Sequence, residues 1–209
     1  MNWTEIIENA LTDGDRDPDT SNKFRSHYAG NCKRQIYLSK LDLKEVPLQG
    51  KIAMRIGSEI HSWLEEDVEF PDGYHSEMSY TQSYQGLILT GKADVVTPDE
   101  VVDFKTRKGF HYMDSAKDGY HPQVNLYMWA FNKNKGRLVY INKIPDENTI
   151  KNVVREQVLQ YDQKKFEETL DKYREVLEAI KDEPDPQEPS DIPFDKCGCW
   201  LCGQEILRI

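Results

Sequence analysis

Residues 89–106 read Leu89-Thr90-Gly91-Lys92-Ala93-Asp94-Val95-Val96, then Thr97-Pro98-Asp99-Glu100, then Val101-Val102-Asp103-Phe104-Lys105-Thr106. The polar turn between two apolar runs predicts neighbouring strands over 86–96 and 100–105. Asp94 and Asp103 stand nine residues apart, so they can face each other across this hairpin. Lys105 follows Asp103 by two positions, so its side chain points to the same face of the strand.

This hairpin carries the residue types of a hydrolytic site. Two carboxylates at one point of a sheet are hard oxygen ligands suited to Mg²⁺ or Mn²⁺. A bound ion would polarise a phosphate and activate water, while Lys105 would stabilise the developing negative charge or orient the water. The same residues also fit a plain hairpin with two solvent-facing acids and a salt-bridging lysine, so the surrounding segments matter.

Two predicted helices add candidate residues. The first spans 51–67 and carries His61, whose imidazole suits Mn²⁺-type ions. Its spacing predicts one apolar face, formed by Ile52, Ile56, Ile60, Trp63 and Leu64. The second helix opens at Pro122 and places Gln123 and Tyr127 on one face, at positions i and i+4. Taken alone, His61 equally suits a structural role, and Gln123 and Tyr127 an amide and a core aromatic.

The four cysteines indicate a metal centre. Three stand close together near the C-terminus and one lies far away, in the order Cys32, Cys197, Cys199 and Cys202. Without a secretory signal disulfides are not expected, and four thiols fit one zinc ion or an iron–sulfur cluster. The alternative is a buried free cysteine plus a chance cluster. A metal here would close a very long loop, so metal loss should cost stability.

Composition and charge narrow the class of protein. The chain has 209 residues, a mass of 24.4 kDa and a net charge of −10. No apolar run approaches a membrane span, and Met1-Asn2-Trp3-Thr4-Glu5 lacks the basic and apolar pattern of a leader, so we expect a cytoplasmic protein without membrane contact. Residues 23–55 nevertheless hold eight bases against two acids, a local charge of +6 that suits either a polyanion or a solvated face.

The order of predicted elements favours an α/β fold. Helices come first, then a meander of strands, then helices around a further strand or two. We expect a single domain over 1–209, with an N-terminal helical region at 1–50 that holds the first cysteine. The core would span 51–181, and a proline-rich linker with the cysteine-bearing tail would follow at 182–209.

Together the motifs resemble the RecB-like branch of the PD-(D/E)XK nucleases. The matching stretches, in chain order, are Gly57 to His61, Gly91 to Asp94, Asp103-Phe104-Lys105 and Gln123 to Tyr127. The sequence also resembles the iron–sulfur subgroup of this branch, which includes CRISPR-adaptation exonucleases, AddB-type nuclease domains and phage nucleases. This resemblance lies in the stretch Cys32-Lys33-Arg34-Gln35-Ile36-Tyr37 and in the three C-terminal cysteines. Two departures are Ala93, where the family name implies proline, and the C-x-C-x-x-C spacing, where the subgroup has C-x-x-C and a longer gap.

This resemblance implies a fold, an activity and a set of roles. The fold would be a restriction-endonuclease-like core with a mixed central sheet flanked by helices. Mn²⁺ or Mg²⁺ would be bound by His61, Asp94, Asp103 and the Phe104 carbonyl. The catalytic set would consist of Lys105 with the metal-binding Asp94 and Asp103, and of Gln123 and Tyr127, which would line the site and position either the phosphate backbone or Lys105. The four cysteines, Cys32, Cys197, Cys199 and Cys202, would hold a [4Fe-4S] cluster, with structural zinc as the alternative.

The implied activity is a metal-dependent deoxyribonuclease, more an exonuclease than an endonuclease, acting on single-stranded DNA ends. The basic stretch would track the DNA backbone through Arg25, Lys33, Arg34 and Arg55. The sequence holds no helicase P-loop, so either a partner unwinds the DNA or the substrate is already open. A helicase or an integrase would be such a partner, in a prokaryotic or phage-infected cell. Two other functions stay open at this point: a non-cleaving module that binds DNA ends, and a zinc-stapled structural protein.

Overall fold

A computed structural model describes residues 17–107, 119–143, 153–203 and 206–207. Eight strands lie in this part of the chain: β1 (Lys23–Arg25), β2 (Lys44–Glu45), β3 (His75–Tyr84), β4 (Leu87–Val96), β5 (Glu100–Arg107), β6 (Lys135–Asn142), β7 (Val154–Gln160) and β8 (Ile206–Leu207). Five α-helices accompany them: α1 (Lys33–Lys40), α2 (Leu48–Asp67), α3 (His121–Ala130), α4 (Gln163–Asp182) and α5 (Trp200–Gly203).

Six of the strands form one mixed sheet. Its path runs β1-β4-β5-β6-β7, and β3 pairs with β4 as well. The β1–β4 and β5–β6 pairs are parallel, whereas β3–β4, β4–β5 and β6–β7 are antiparallel. Helix α3 packs against β5 and β6. The predicted α/β class with a mixed sheet is therefore confirmed.

The edge of β4 that faces away from β3 is divided between two other strands. β3 pairs along the first edge from Leu87 to Val96, so β1 and β5 share the second. β1 occupies its start, at residues 88–90, and β5 occupies its end, at Val95 and Val96. Residues 91–94 have no strand partner on this edge in the described part of the chain. We call this interruption the β4 gap.

The chain divides into two compact units. The larger comprises residues 22–31 and 60–171, and it holds the six-stranded sheet. Its core combines apolar side chains of the strands with those of α3, among them Leu89, Val101, Leu126, Leu138 and Tyr140. The alternating burial of β6 shows why: every second residue of Lys135–Asn142 is buried, as period-two patterning requires of a strand covered on one face.

The smaller unit is formed by the described residues of 1–21, 32–59 and 172–209. Its core holds Ile36, Tyr37 and Leu38 of α1 with Tyr173 and Ile180 of α4, all of which are at most 1% exposed. Strand β2 pairs with β8 here, with Lys44 opposite Leu207. The prediction of a single domain over 1–209 stays a prediction.

The predicted helix over 51–67 is present as Leu48–Asp67, and its apolar face is largely exposed: Ile52 is 41%, Ile56 43% and Trp63 54% accessible, whereas Leu64 is buried. Helical spacing of apolar residues shows that they share a face, but it does not show that another element covers that face. No helix in the described ranges is long and apolar enough to cross a membrane.

Candidate active site

Asp94 and Asp103 meet at the β4 gap. The last two paired positions of β4 and β5 are Val96↔Val101 and Val95↔Val102, so the next position along would join the two aspartates. The ladder stops there. Instead, the backbone N–H of Phe104 donates a hydrogen bond to Asp94 Oδ2 at 2.6 Å. A carboxylate thus takes the place of a strand partner, which ties Asp94 to the strand that carries Asp103.

Asp103 and Lys105 form a buried ion pair. Lys105 Nζ lies 2.6 Å from Asp103 Oδ2, and Asp103 is 1% exposed. That oxygen accepts no well-aligned hydrogen bond from any residue that the structure describes. Burial raises the pKa of Asp103 to about 6, Lys105 opposes the rise, and the nearby Asp94 carboxylate adds to it. Burial lowers the pKa of Lys105, but the Asp103 carboxylate more than offsets this and raises it above its usual value.

His61 approaches the pair of aspartates from α2. Its Nδ1 lies 3.7 Å from Asp94 Oδ1, and its ring meets that of Phe104 edge-on with 6.4 Å between centroids. The Asp94 carboxylate raises the pKa of His61, while partial burial acts in the opposite direction. The imidazole therefore sits where it either binds a cation beside Asp94 or becomes a cation itself.

These donors suit a hard divalent ion. The Asp94 carboxylate is close enough to raise the pKa of Asp103, and Asp103 Oδ2 is a buried oxygen that accepts no well-aligned hydrogen bond from the described residues. An imidazole nitrogen and carboxylate oxygens are ligands that Mn²⁺ and Mg²⁺ accept. The ligand atoms of His61, Asp94 and Asp103 do not form a tight group. Among the residues that the structure describes, the four cysteines form such a group, with all ligand atoms within 4.8 Å of one another.

Gln123 and Tyr127 extend the site from α3. Gln123 Nε2 donates to Tyr127 Oη at 2.8 Å, and Ser26 Oγ donates to the same oxygen at 3.2 Å. Burial raises the pKa of Tyr127, so its hydroxyl stays protonated. Gly91 makes this approach possible, because a Cβ there would lie 2.1 Å from Ser26 Oγ and 2.9 Å from the Tyr80 ring.

A polar cavity of about 400 Å³ adjoins these hydroxyls. Three cationic side chains, Lys23, Arg25 and Lys92, contribute to its wall, and Gln123 and Tyr127 close one side of it. The remaining lining residues are small, hydroxylated or aromatic: Ser26, His27, Ser79, Tyr80, Thr81, Thr90 and Gly91. Lys92 is also ion-paired with Glu77. The composition of the wall suits an anionic ligand of the size of a nucleotide.

The four cysteines form a second potential metal centre, within the smaller unit. Their sulfurs all lie within 4.8 Å, with Cys32–Cys202 at 3.6 Å, Cys197–Cys202 at 3.8 Å and Cys199–Cys32 at 3.9 Å. These distances are far longer than the ~2 Å of a disulfide. Gly198 has φ +73, so the Cys197–Cys199 turn uses the left-handed region that glycine favours.

Local contacts and burial shift the pKa values of the cysteine thiols. A hydrogen bond from the Cys199 backbone lowers the pKa of Cys197 to about 7, whereas burial raises the pKa of Cys32. The Gln35 amide lies 3.7 Å from the buried Cys202 sulfur. Metal binding requires thiolates, so an ion at this centre would displace the protons that the thiols carry.

The four predicted DNA-binding cations occupy different environments. Arg25 lines the polar cavity, and Arg55 is exposed and paired with Glu59 on its own helix at 2.8 Å. Lys33 forms an exposed ion pair with Glu175. Arg34 is 6% exposed and donates to the Phe194 carbonyl at 2.6 Å, which places it inside the smaller unit. The roles predicted for these residues, and for those at the β4 gap, stay predictions.

Three residues that contact the site were not predicted from the sequence: Ser26, Tyr120 and Arg107. Ser26 precedes β4 by more than sixty positions, so nothing local pointed to its contact with Tyr127. Tyr120 and Arg107 flank Lys105: its Nζ lies 5.1 Å from the Tyr120 ring centroid, and Arg107 Cζ lies 5.7 Å from the same point. The alternation that put Lys105 beside Asp103 also places Arg107 on that face, and this signal was available in the sequence.

Comparison with known families adds one sequence match. The family model described as "PD-(D/E)XK nuclease superfamily" matches residues 59–204 of the 209. This range contains the whole β4 gap. Among curated protein sequences, none matches this chain significantly.

Solved structures show the same fold at low sequence identity. The crystal structure of SSO0001 is 17% identical, with 90% of each chain covered and a TM-score of 0.57. The alkaline exonuclease LHK-Exo from Laribacter hongkongensis is 13% identical, with 78% of this chain and 89% of that chain covered and a TM-score of 0.53. The structure of LHK-Exo in complex with dAMP gives 14% identity, 78% and 90% coverage and a TM-score of 0.54.

Proposed function

Since the chain belongs to the PD-(D/E)XK nuclease superfamily, we propose that it is a metal-dependent DNA exonuclease that hydrolyses phosphodiester bonds at single-stranded ends. The observation that carries the proposal is the buried Asp103–Lys105 ion pair at the β4 gap, next to Asp94 and His61. A structural hairpin would have little reason to bury Asp103 beside the largely buried Asp94 and Lys105, because desolvating charges costs several kcal/mol. A site that handles phosphate needs that arrangement.

The metal would be held by His61, Asp94, Asp103 and the Phe104 carbonyl. When bound, a divalent ion supplies Lewis-acid polarisation of the phosphate and activation of water. It would also offset the negative charge of Asp94, which adds to the effect of burial in raising the pKa of Asp103. The hydrogen bond from Phe104 N–H to Asp94 Oδ2 fixes one carboxylate, so its other oxygen, Oδ1, is turned towards His61.

Lys105 would stabilise the charge that develops on the phosphate. Because its pKa is raised, the amine is a permanent cation at neutral pH. It is anchored by Asp103 on one side and by the Tyr120 ring on the other, so its position is set before substrate arrives. Preorganised charge of this kind needs no rearrangement at the moment of reaction.

Gln123 and Tyr127 would position the DNA backbone. The hydrogen bonds from Gln123 and Ser26 fix the Tyr127 hydroxyl at the wall of the polar cavity. Lys23, Arg25 and Lys92 give that wall a positive charge despite the net charge of −10. The choice of exonuclease follows the motif resemblance, and the two LHK-Exo structures, one of them with dAMP, support it.

The four-cysteine group would hold a metal with a structural role. The motif resemblance favours [4Fe-4S], in which each thiolate binds a different iron. Three of the sulfur separations, 3.6 to 3.9 Å, match a single tetrahedral ion, since a Zn–S bond of ~2.3 Å gives a sulfur–sulfur edge of about 3.8 Å, and all four sulfurs lie within 4.8 Å of one another. Iron, zinc and acid-labile sulfide measured per chain distinguish the two. A brown protein with absorbance near ~400 nm supports the cluster.

Digestion of end-labelled DNA tests the proposed activity. Single- and double-stranded DNA, labelled separately at the 5′ and 3′ ends, is incubated with Mn²⁺ or Mg²⁺, with EDTA as the control. We expect metal-dependent release of mononucleotides or short fragments from single-stranded ends, and the label released first gives the polarity. Tight DNA binding without cleavage under either ion would contradict the proposal and favour a non-cleaving DNA-end-binding module, with a helicase or integrase partner as the next question.

A further inference from the structure

Arg107 ends the row of side chains that begins with Asp103 and Lys105. It is the last residue of β5, and strand alternation puts these three side chains on one face. Asp103 is 1% exposed, whereas the Lys105 side chain is 15% exposed and Arg107 is half-buried. The row therefore leads from the buried Asp103 to two partly exposed cations.

Two aromatic rings hold the Arg107 guanidinium. Its Cζ lies 4.7 Å from the centroid of Tyr140 and 5.7 Å from that of Tyr120. Both distances are within the ~6 Å range of a cation–π contact. The guanidinium therefore lies over the faces of both tyrosine rings, which restrict its position. The Tyr120 ring also contacts Lys105, so one aromatic side chain orients two cations.

The backbone places Arg107 at the carboxyl end of a parallel strand pair. Arg107 of β5 stands opposite Asn142 of β6, and its carbonyl accepts a hydrogen bond from Lys143 N–H at 2.9 Å. In open α/β sheets, ligands bind outside the carboxyl ends of such strands. A guanidinium fixed at this edge suits phosphate in particular, because its forked donors match two phosphate oxygens.

We infer that Arg107 binds the backbone phosphate of the nucleotide next to the scissile one, and that Tyr120 and Tyr140 position its guanidinium for that contact. The inference rests on the proposed function for its ligand, a single DNA strand. Lys105 faces the phosphate that reacts, and Arg107 faces a neighbouring phosphate that does not. Arg107 therefore contributes to binding of the strand and not to the chemical step.

Salt-dependent DNA binding tests this role without any cleavage. Anisotropy of a fluorescent single-stranded oligonucleotide is measured in EDTA over a series of salt concentrations. Arg107→Gln should weaken binding about tenfold at low salt, because it removes a charge-assisted hydrogen bond. It should also reduce the slope of log K against log salt by about 0.7, the contribution of one phosphate contact to a single strand. Arg107→Lys should keep the slope but bind more weakly.

Matched variants separate a specific contact from loss of charge or of fold. Lys164→Gln removes one positive charge from a side chain that is 86% exposed on α4, and it should bind like the wild type. Tyr120→Phe should keep the affinity and Tyr120→Leu should lower it, because the ring face and not the hydroxyl holds the guanidinium. An unchanged slope in Arg107→Gln would overturn the inference.

The same experiment distinguishes this inference from the proposed function. If the wild type binds with an Arg107-dependent slope but cleaves under no ion, the nuclease proposal fails and the phosphate contact stands. If the wild type cleaves and Arg107→Gln binds and cleaves with unchanged KM, the inference about Arg107 fails alone. The expected result with active enzyme is a raised KM and an unchanged kcat for Arg107→Gln.

Discussion

Acidification should release the divalent ion from the β4 gap through protonation of Asp103. Burial raises the pKa of this carboxyl from 3.8 to about 6. At ~pH 5 only about one tenth of it is then ionised, against nearly all of it at ~pH 7.5. A divalent ion must displace the proton to bind, so Mn²⁺ affinity should fall about tenfold over that range. Protonation of His61, whose pKa is also raised, acts in the same direction.

The same group sets a pH dependence of stability in the absence of metal. Because the pKa of Asp103 is raised in the folded chain, its contribution to the free energy of unfolding is largest below about pH 4. The contribution falls as the pH rises and is lost above about pH 6. A shift from 3.8 to about 6 corresponds to about 3 kcal/mol. Bound Mn²⁺ should restore this stability above pH 6, where it replaces the proton.

Thermal unfolding with and without Mn²⁺ at ~pH 5, ~6 and ~7.5 measures both effects. We expect the Mn²⁺-induced rise in Tm to be large at the highest pH and nearly absent at the lowest. Asp103→Asn should abolish the rise, whereas Asp99→Asn, in the exposed turn of the same hairpin, should retain it. A Mn²⁺ effect of equal size at all three values, or one that survives Asp103→Asn, would refute the reasoning.

Three further changes probe the scaffold. Gly91→Ala should lower the free energy of unfolding, measured in urea, by about 1–3 kcal/mol, because the added methyl would lie 2.1 Å from Ser26 Oγ. Gly119→Ala is the control, since its methyl would meet no atom closer than 3.6 Å, and equal effects of the two changes would contradict the prediction. In the same unfolding assay, Arg34→Met should lower the free energy of unfolding by about 2 kcal/mol and Lys33→Met by less than about 1, since Arg34 is buried and Lys33 is exposed. A larger effect of Lys33→Met would contradict the structure. Cys202→Ser should lower both metal content and Tm, and full metal retention would exclude it as a ligand.

Local patterns predicted the hairpin and its charged pair because these depend on short sequence distances. The turn at Thr97–Glu100 sets the register that brings Asp94 opposite Asp103, and alternation along β5 puts Lys105 beside Asp103. The convergence of the four cysteines was predicted from ligand chemistry, since their number matches one four-coordinate metal centre and three of them stand within six residues. The α/β class followed from the order of these elements.

Long-range features could not be predicted in this way. The β4 gap exists because β1 pairs with β4 across more than sixty residues, and no local signal specifies that register. The exposure of Ile52 and Trp63 depends on which surface other elements leave uncovered. Counting charges over 23–55 also gives no information on their partners: Lys40 is fully buried, and its Nζ lies 3.1 Å from Asp19 Oδ2.

Single-turnover cleavage by Lys105→Ala tests the central claim most directly, namely that the charged pair at the β4 gap carries out phosphodiester hydrolysis. The rate is measured with Mn²⁺ and saturating single-stranded DNA, with Lys164→Ala as the control, while binding is measured separately in EDTA. One electrostatic group stabilises a transition state by about 2–4 kcal/mol, so its removal should reduce the cleavage rate about 30- to 1,000-fold. The DNA affinity should stay nearly unchanged. A folded Lys105→Ala protein that digests DNA at the wild-type rate would contradict the account.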